Sequence, residues 1–213
     1  MTTPAAPGTA RPFDAVLCDL DNVIRFYDSS RLAGLERAAG LPEGTTAAAA
    51  FHPERGGPLV LGKVTKEQWA ESVAERLGDD VPLPGPRARE LAHALARSPF
   101  AADGTVVRAL RGARAAGLSL VLVTNAALDL EEDLAVMGLA DLADHVVNSA
   151  LEGVAKPDPE IYTIAAGRAG AAPERCLFVD DRLENVEAAV ALGMTGVHFR
   201  GPADLEAALA FLG

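Results

Sequence analysis

AVLCDLDNV, residues 15–23, runs four apolar side chains directly into two carboxylates, Asp19 and Asp21. A short continuous apolar run is the pattern of a strand buried on both faces. Its acidic end sets the carboxylates where the chain leaves the sheet. Alternate side chains of an extended segment share a face, so Asp19 and Asp21 can converge on one site. Two buried carboxylates repel each other, and ionising both is unfavourable unless a cation lies between them.

Four further runs follow toward the C-terminus: LSLVLVT at 118–124, the weaker HVVN at 145–148, CLFVD at 176–180 and TGVHF at 195–199. Between them apolar residues recur at helical spacing. Val106, Val107, Leu110 and Ala113 form one such set, Leu130, Leu134 and Met137 a second, and Val186, Ala189, Val190 and Leu192 a third. Gly117 suits the C-terminal end of the first helix. Asp158-Pro159-Glu160 is a helix start, with a capping acid, a proline at the first helical position and an acid in the first turn. Continuous apolar strands alternating with helices predict an α/β fold, a parallel sheet covered by helices on both faces. Ligands of such sheets bind off the carboxyl ends of the strands.

Residues 29–100 break this alternation with helical patterns and Pro/Gly breaks. The clearest helix is TKEQWAESVAERL at 65–77, capped by Thr65 and followed by Gly78. Such a length is too great for a crossover loop and predicts a small α-helical cap inserted after the first strand. The expected organisation is a disordered N-terminal tail at 1–12, an α/β core at 13–28 and 101–213, and the cap at 29–100.

With 213 residues, 49% hydrophobic and 23% charged, the chain can bury a substantial core. Its formal net charge of -11 repels nucleic-acid phosphate, and no basic cluster reverses this locally. Any phosphate site must supply its own positive charge. Cys18 and Cys176 lie inside apolar runs and read as buried, reduced residues. Zinc-ligand spacing is absent, and no apolar run approaches membrane-spanning length. The expectation is a soluble cytoplasmic protein, monomer or homodimer, with no nucleic-acid or membrane partner.

Asp180 and Asp181 close another predicted strand. If their strand neighbours the first, they form a four-acid cluster with Asp19 and Asp21. Hard oxygen donors with few other ligands suit Mg²⁺. Thr124-Asn125 ends a third strand, where a hydroxyl and backbone N–H groups can hold a phosphoryl oxygen. Lys156 adds a point charge for the same oxygens. Each feature alone is as readily a turn, a cap or a solvated linker. Together, in order along one sheet, they point to a site.

DLDNV at 19–23, LVTN at 122–125, KPDPEIY at 156–162 and FVDDRLEN at 178–185 resemble the four ordered motifs of the haloacid dehalogenase superfamily. The insertion resembles the helical cap of its subfamily I. The resemblance implies a Rossmann-like core of strand order 5-4-1-2-3, with the site at the core–cap junction. It implies an Mg²⁺-dependent phosphatase acting on a small phosphorylated metabolite, such as a sugar phosphate, through an aspartyl phosphate. Asp19 would be the nucleophile and Asp21 the general acid/base. Thr124 and Asn125 would bind the phosphoryl group, and Lys156 would neutralise charge. Asp180 and Asp181 would hold the metal with Asp19 and the backbone carbonyl of Asp21.

Asn22 replaces the usual glycine, and asparagine tolerates a left-handed backbone; it also falls among the expected substrate-binding residues. Asn185 replaces a further acid. A metal-independent dehalogenase of the same superfamily would not need Asp21, because halide leaves without a proton. A receiver-like phosphoacceptor has its acidic pair first in the chain rather than last. A non-catalytic interaction protein on the same fold is the remaining alternative.

Overall fold

The computed structural model describes residues 11–81 and 83–213, with the side chains of residues 53–55 left aside. Residues 1–10 of the expected tail lie outside the described residues. Arg11 donates from Nη1 to the Ala116 carbonyl at 2.5 Å, and Pro12 accepts from Arg175 at 2.9 Å.

From β1 (Ala15–Cys18) the chain passes through β2 (Arg25–Tyr27) into five helices. These are α1 (Ser30–Ala38), α2 (Thr45–Ala50), α3 (Pro53–Val60), α4 (Lys66–Asp80) and α5 (Gly85–Ala96). It returns through β3 (Phe100–Ala102) to α6 (Gly104–Ala115), β4 (Ser119–Thr124), α7 (Leu130–Val136), β5 (His145–Asn148) and α8 (Ser149–Glu152). Then come α9 (Pro159–Ala169), β6 (Cys176–Asp180), α10 (Leu183–Ala191), β7 (Thr195–His198) and α11 (Pro202–Ala208).

The parallel sheet has the order β5-β4-β1-β6-β7. Counting only the strands of this sheet in chain order gives 3-2-1-4-5, which is 5-4-1-2-3 read from the other edge. The labels differ from the expected ones because β2 and β3 form a separate antiparallel pair, with Arg25 opposite Ala102 and Tyr27 opposite Phe100. This pair joins core to cap. Three residues are too few for a period-2 pattern to register.

Strand pleating sorts the core into two layers. Val16, Cys18, Leu120 and Leu122 face α6, α7 and α11, while Ala15, Leu17, Val121 and Val123 face α9 and α10. Both cysteines are buried and free. Helix α9 begins as the sequence predicts, with Asp158 accepting from the Glu160 N–H at 2.9 Å and Pro159 at its first position. Gly117 follows α6 with φ 87°.

The cap has its own core. Trp69, Val73 and Leu77 of α4 pack with Leu91 and Ala92 of α5. A Thr65–Gln68 capping box starts α4. The helix then runs through Gly78 to Asp80, beyond the stop read from the sequence. A lone helical glycine costs only about 1 kcal/mol, and an Arg76–Asp80 ion pair spans it on the helix surface. Ser149 at the start of α8 donates to the Val60 carbonyl at 2.6 Å, tying cap to core. Beside it, Gly62 has φ +67° and approaches Ala150 so closely that a Cβ would lie 2.4 Å from its carbonyl oxygen. No helix among the described residues is long and apolar enough to cross a membrane.

Candidate active site

Strands β4, β1 and β6 lie side by side and end together, which brings Thr124, Asp19 and Asp180 to one edge. The Asp19 N–H still donates to the Val179 carbonyl at 2.9 Å, so the ladder fixes the backbone of the first acid. Its carboxylate Oδ1 accepts from its neighbour Leu20 N–H and from Lys156 Nζ, each at 2.7 Å. Both contacts fall on Oδ1 and leave Oδ2 outside them.

Lys156 lies in the loop before α9 with its side chain 1% exposed. Its ammonium bridges Asp19 and Asp180, at 2.7 Å from each. Burial pulls this ammonium down, but the two facing carboxylates more than reverse the effect and hold it above its usual range. For Asp19, burial dominates: against the pull of Lys156, and helped by Asp180, it lifts the carboxyl to about 7.

Asp180 is fully buried and fully engaged. The Arg182 N–H donates to its Oδ1 at 2.8 Å, and the Asn185 amide donates to its two oxygens at 3.0 and 3.1 Å. Tyr162 holds the Asn185 carbonyl at 3.0 Å. The uncharged Asn185 therefore orients Asp180 through hydrogen bonds. Asp181 is half-buried, and burial followed by the neighbouring Asp180 raises its carboxyl. Asn22, with φ 61° as its residue type permits, donates to Asp181 Oδ2 at 3.1 Å.

Carboxylate oxygens of Asp19, Asp180 and Asp181 lie within 4.8 Å of one another. Three hard anionic donors against one ammonium leave surplus negative charge, the donor chemistry that suits Mg²⁺. The expected fourth acid does not join them. Asp21 is drawn off by Arg25, whose Nε and Nη2 donate to its two oxygens at 2.6 and 3.0 Å.

Thr124 Oγ1 is buried with no hydrogen-bond partner among the described residues. Such an orphan costs about 1–3 kcal/mol unless a ligand meets it. The Asn125 side chain has a structural partner of its own. Its amide donates to the Lys156 carbonyl at 2.9 Å and accepts from the Lys156 N–H at 2.8 Å, so this side chain clamps the lysine loop.

A second charged group went unread in the sequence. Arg25 also donates to Asp133 at 2.7 Å, and Lys66 of the cap pairs with Asp129 at 2.9 Å and reaches Asp133 at 4.0 Å. Burial opposes the charge on Arg25, yet its bonds to Asp21 hold the guanidinium above its usual range. The four-residue spacings of Asp21 to Arg25 and Asp129 to Asp133 were the local signals available. The meeting of the two pairs with Lys66 depends on how the cap docks.

Acids at parallel strand ends around a buried lysine, beneath a helical cap, define the class as a hydrolase of the haloacid dehalogenase type. A family model described as haloacid dehalogenase-like hydrolase matches residues 13–193, and the chain belongs to that family. The phosphatase MT3486 of Mycobacterium tuberculosis is 32% identical over 84% of this chain and 84% of its own. The sesquiterpene phosphatase astK of Aspergillus oryzae is 34% identical over 65% of this chain and 74% of its own. Some relatives are far longer: mouse acyl-CoA dehydrogenase family member 10 is 26% identical over 94% of this chain but only 20% of its own. Among solved structures, a family enzyme of Bacteroides thetaiotaomicron in complex with magnesium and inorganic phosphate superposes with a TM-score of 0.65. It shares 18% identity, over 86% of this chain and 92% of that one. The protein is therefore an enzyme of this hydrolase family, with phosphatases among its relatives.

Proposed function

We propose that the protein is an Mg²⁺-dependent phosphatase that hydrolyses a small phosphorylated metabolite through an aspartyl phosphate on Asp19. The observation that carries this reading is the Lys156 ammonium set 2.7 Å from both Asp19 and Asp180, with Asp181 beside them. Asp19, Asp180 and Asp181 would hold the metal. When bound, Mg²⁺ supplies positive charge that offsets the phosphoryl oxygens.

The free Oδ2 of Asp19 attacks phosphorus while Lys156 and the backbone hold Oδ1 in place. As the phosphorus–oxygen bond to the alcohol breaks, the leaving oxygen takes a proton from Asp21. Water then attacks the aspartyl phosphate, gives its proton to Asp21, and restores the Asp19 carboxylate as phosphate leaves. Asp21 can carry that proton only on an oxygen that has let go of Arg25. The Thr124 hydroxyl and the Asn125 N–H receive phosphoryl oxygens, and Lys156 balances their charge. The presence of Asp21 favours ester hydrolysis over dehalogenation, since an alcohol must leave protonated and a halide need not.

Hydrolysis of an aryl phosphate by wild type and Asp19→Asn, with Mg²⁺ and with EDTA, tests the reading. The expected result is turnover that EDTA abolishes and that Asp19→Asn lowers by on the order of 10⁶-fold in kcat. Equal rates in both proteins would remove Asp19 from the chemistry. Metal-independent release of halide from chloroacetate would install the dehalogenase instead.

A further inference from the structure

A cavity of about 230 Å³ separates the cap from the core and reaches the wall formed by Asp21. Its sides are largely apolar, built by Phe51, Leu59, Trp69 and Leu95 from the cap and by Ala127 and Leu130 from the core. Its two cations are already committed, Arg25 to Asp21 and Asp133, and Lys66 to Asp129. A second phosphate or a carboxylate on the substrate would find no unpaired cation here and three acids instead. Desolvating that anion without a partner is strongly unfavourable.

Polyhydroxylated groups fit no better. Each buried hydroxyl needs a partner, and the charged side chains of the wall are already bonded to one another, Arg25 to Asp21 and Asp133 and Lys66 to Asp129. Ser98 donates its hydroxyl to the Ala94 carbonyl at 3.0 Å, while Tyr27 and Ser29 lie at the exposed rim. Trp69 is 4% exposed, and its indole Nε1 has no hydrogen-bond partner among the described residues. One donor suits one oxygen. An apolar cavity of about 150 Å³ holds benzene, so this one accommodates a hydrocarbon group of roughly ten carbon atoms.

We infer that the substrate is the phosphate monoester of an apolar, uncharged alcohol whose carbon skeleton fills this cavity. This rests on the phosphatase reading above and narrows its substrate class away from sugar phosphates, nucleotides and phosphoamino acids. The phosphate sits at Asp19, the scissile oxygen beside Asp21, and the hydrocarbon against Trp69 and Leu95.

The test is kcat/KM with Mg²⁺ along the primary alkyl phosphates from methyl to decyl, beside glucose 6-phosphate and phosphoserine. Acetyl phosphate reports the chemistry alone. The expected result is a rise of roughly three- to fourfold per methylene until the cavity is full, with hexyl phosphate at least about tenfold above the two polar esters. Leu95→Asn should cut the hexyl-to-methyl ratio about tenfold, and a ratio is insensitive to the fraction of enzyme folded. A flat series, or preference for glucose 6-phosphate or phosphoserine with acetyl phosphate turned over, overturns the inference and leaves the phosphatase reading standing. If acetyl phosphate is also inert, the phosphatase reading has failed, and the cavity is tested by binding. Trp69 is the chain's single tryptophan, so saturable change of its emission with 1-hexanol but not sorbitol upholds the ligand class. No change with either overturns it.

Discussion

Two groups of charged side chains each set three carboxylates around buried positive charge but balance it differently. Around Lys156, three carboxylates (Asp19, Asp180 and Asp181) face a single ammonium. Around Arg25, three carboxylates (Asp21, Asp129 and Asp133) face two cations. Counted as fully ionised, the first group carries two surplus negative charges and the second one, and burial relieves part of the first by lifting the Asp19 carboxyl. A buried surplus calls for another cation, which marks the first group as the place where metal and phosphoryl chemistry meet. A nearly balanced group with a forked guanidinium at its centre instead forms a wall. Arg25 is further held by lying over the rings of Tyr27 and Phe100, at 5.1 and 5.4 Å.

The largest effect should come from removing the one ammonium of the first group. Lys156→Met leaves Asp19 and Asp180 facing each other in a dry site, and breaking a buried pair from one side costs about 3–5 kcal/mol. For a domain of this size that lowers Tm by roughly 6–20 °C, which calorimetry would read. An unchanged Tm would mean that the two acids are neutral when folded, and the contrast between the groups would be lost.

Arg25→Lys should have a middle effect. It keeps the charge but loses the fork that holds both oxygens of Asp21. An imperfectly met buried acid costs about 1–3 kcal/mol. With Asp21 no longer fixed, kcat should fall by up to about 10²-fold while KM changes little. A variant with wild-type kcat would show that Arg25 serves the wall alone and that Asp21 does not depend on it for position.

The two groups also differ in how much of them the sequence could show. Asp19 and Asp180 follow apolar runs directly, so strand pattern and acid are read in one window, and the parallel sheet then brings the windows together. Lys156 is legible for a related reason: it precedes a helix start spelled out by Asp158 and Pro159. The clamp made by the Asn125 side chain was not legible, because a Thr-Asn pair after a strand looks alike whether its amide faces solvent or holds a loop 31 residues away in the chain. The second group joins Arg25 to Asp133 and Lys66 to Asp129 across even wider gaps, through cap docking that no local period encodes. Helix α4 was visible from its capping box, whereas its exposed last turn, Gly78 to Asp80, runs past the stop that Gly78 suggested.

The smallest effect should fall on the cap side of the second group. Lys66 and Asp129 are 30% and 35% exposed at their side chains, a regime in which solvent screens most of the attraction. Their pair should contribute about 0.2–1 kcal/mol in a double-mutant cycle of Lys66→Met and Asp129→Asn, shrinking further in high salt. A coupling of that size corresponds to less than about 4 °C in Tm. The cap would then rest on its apolar contacts and the Ser149–Val60 hydrogen bond, with the ion pair tuning rather than fixing its seat. A coupling above about 2 kcal/mol, or one indifferent to salt, would instead show the cap locked to the core as firmly as Lys156 is locked to its acids. The two groups would then differ in charge balance but not in strength.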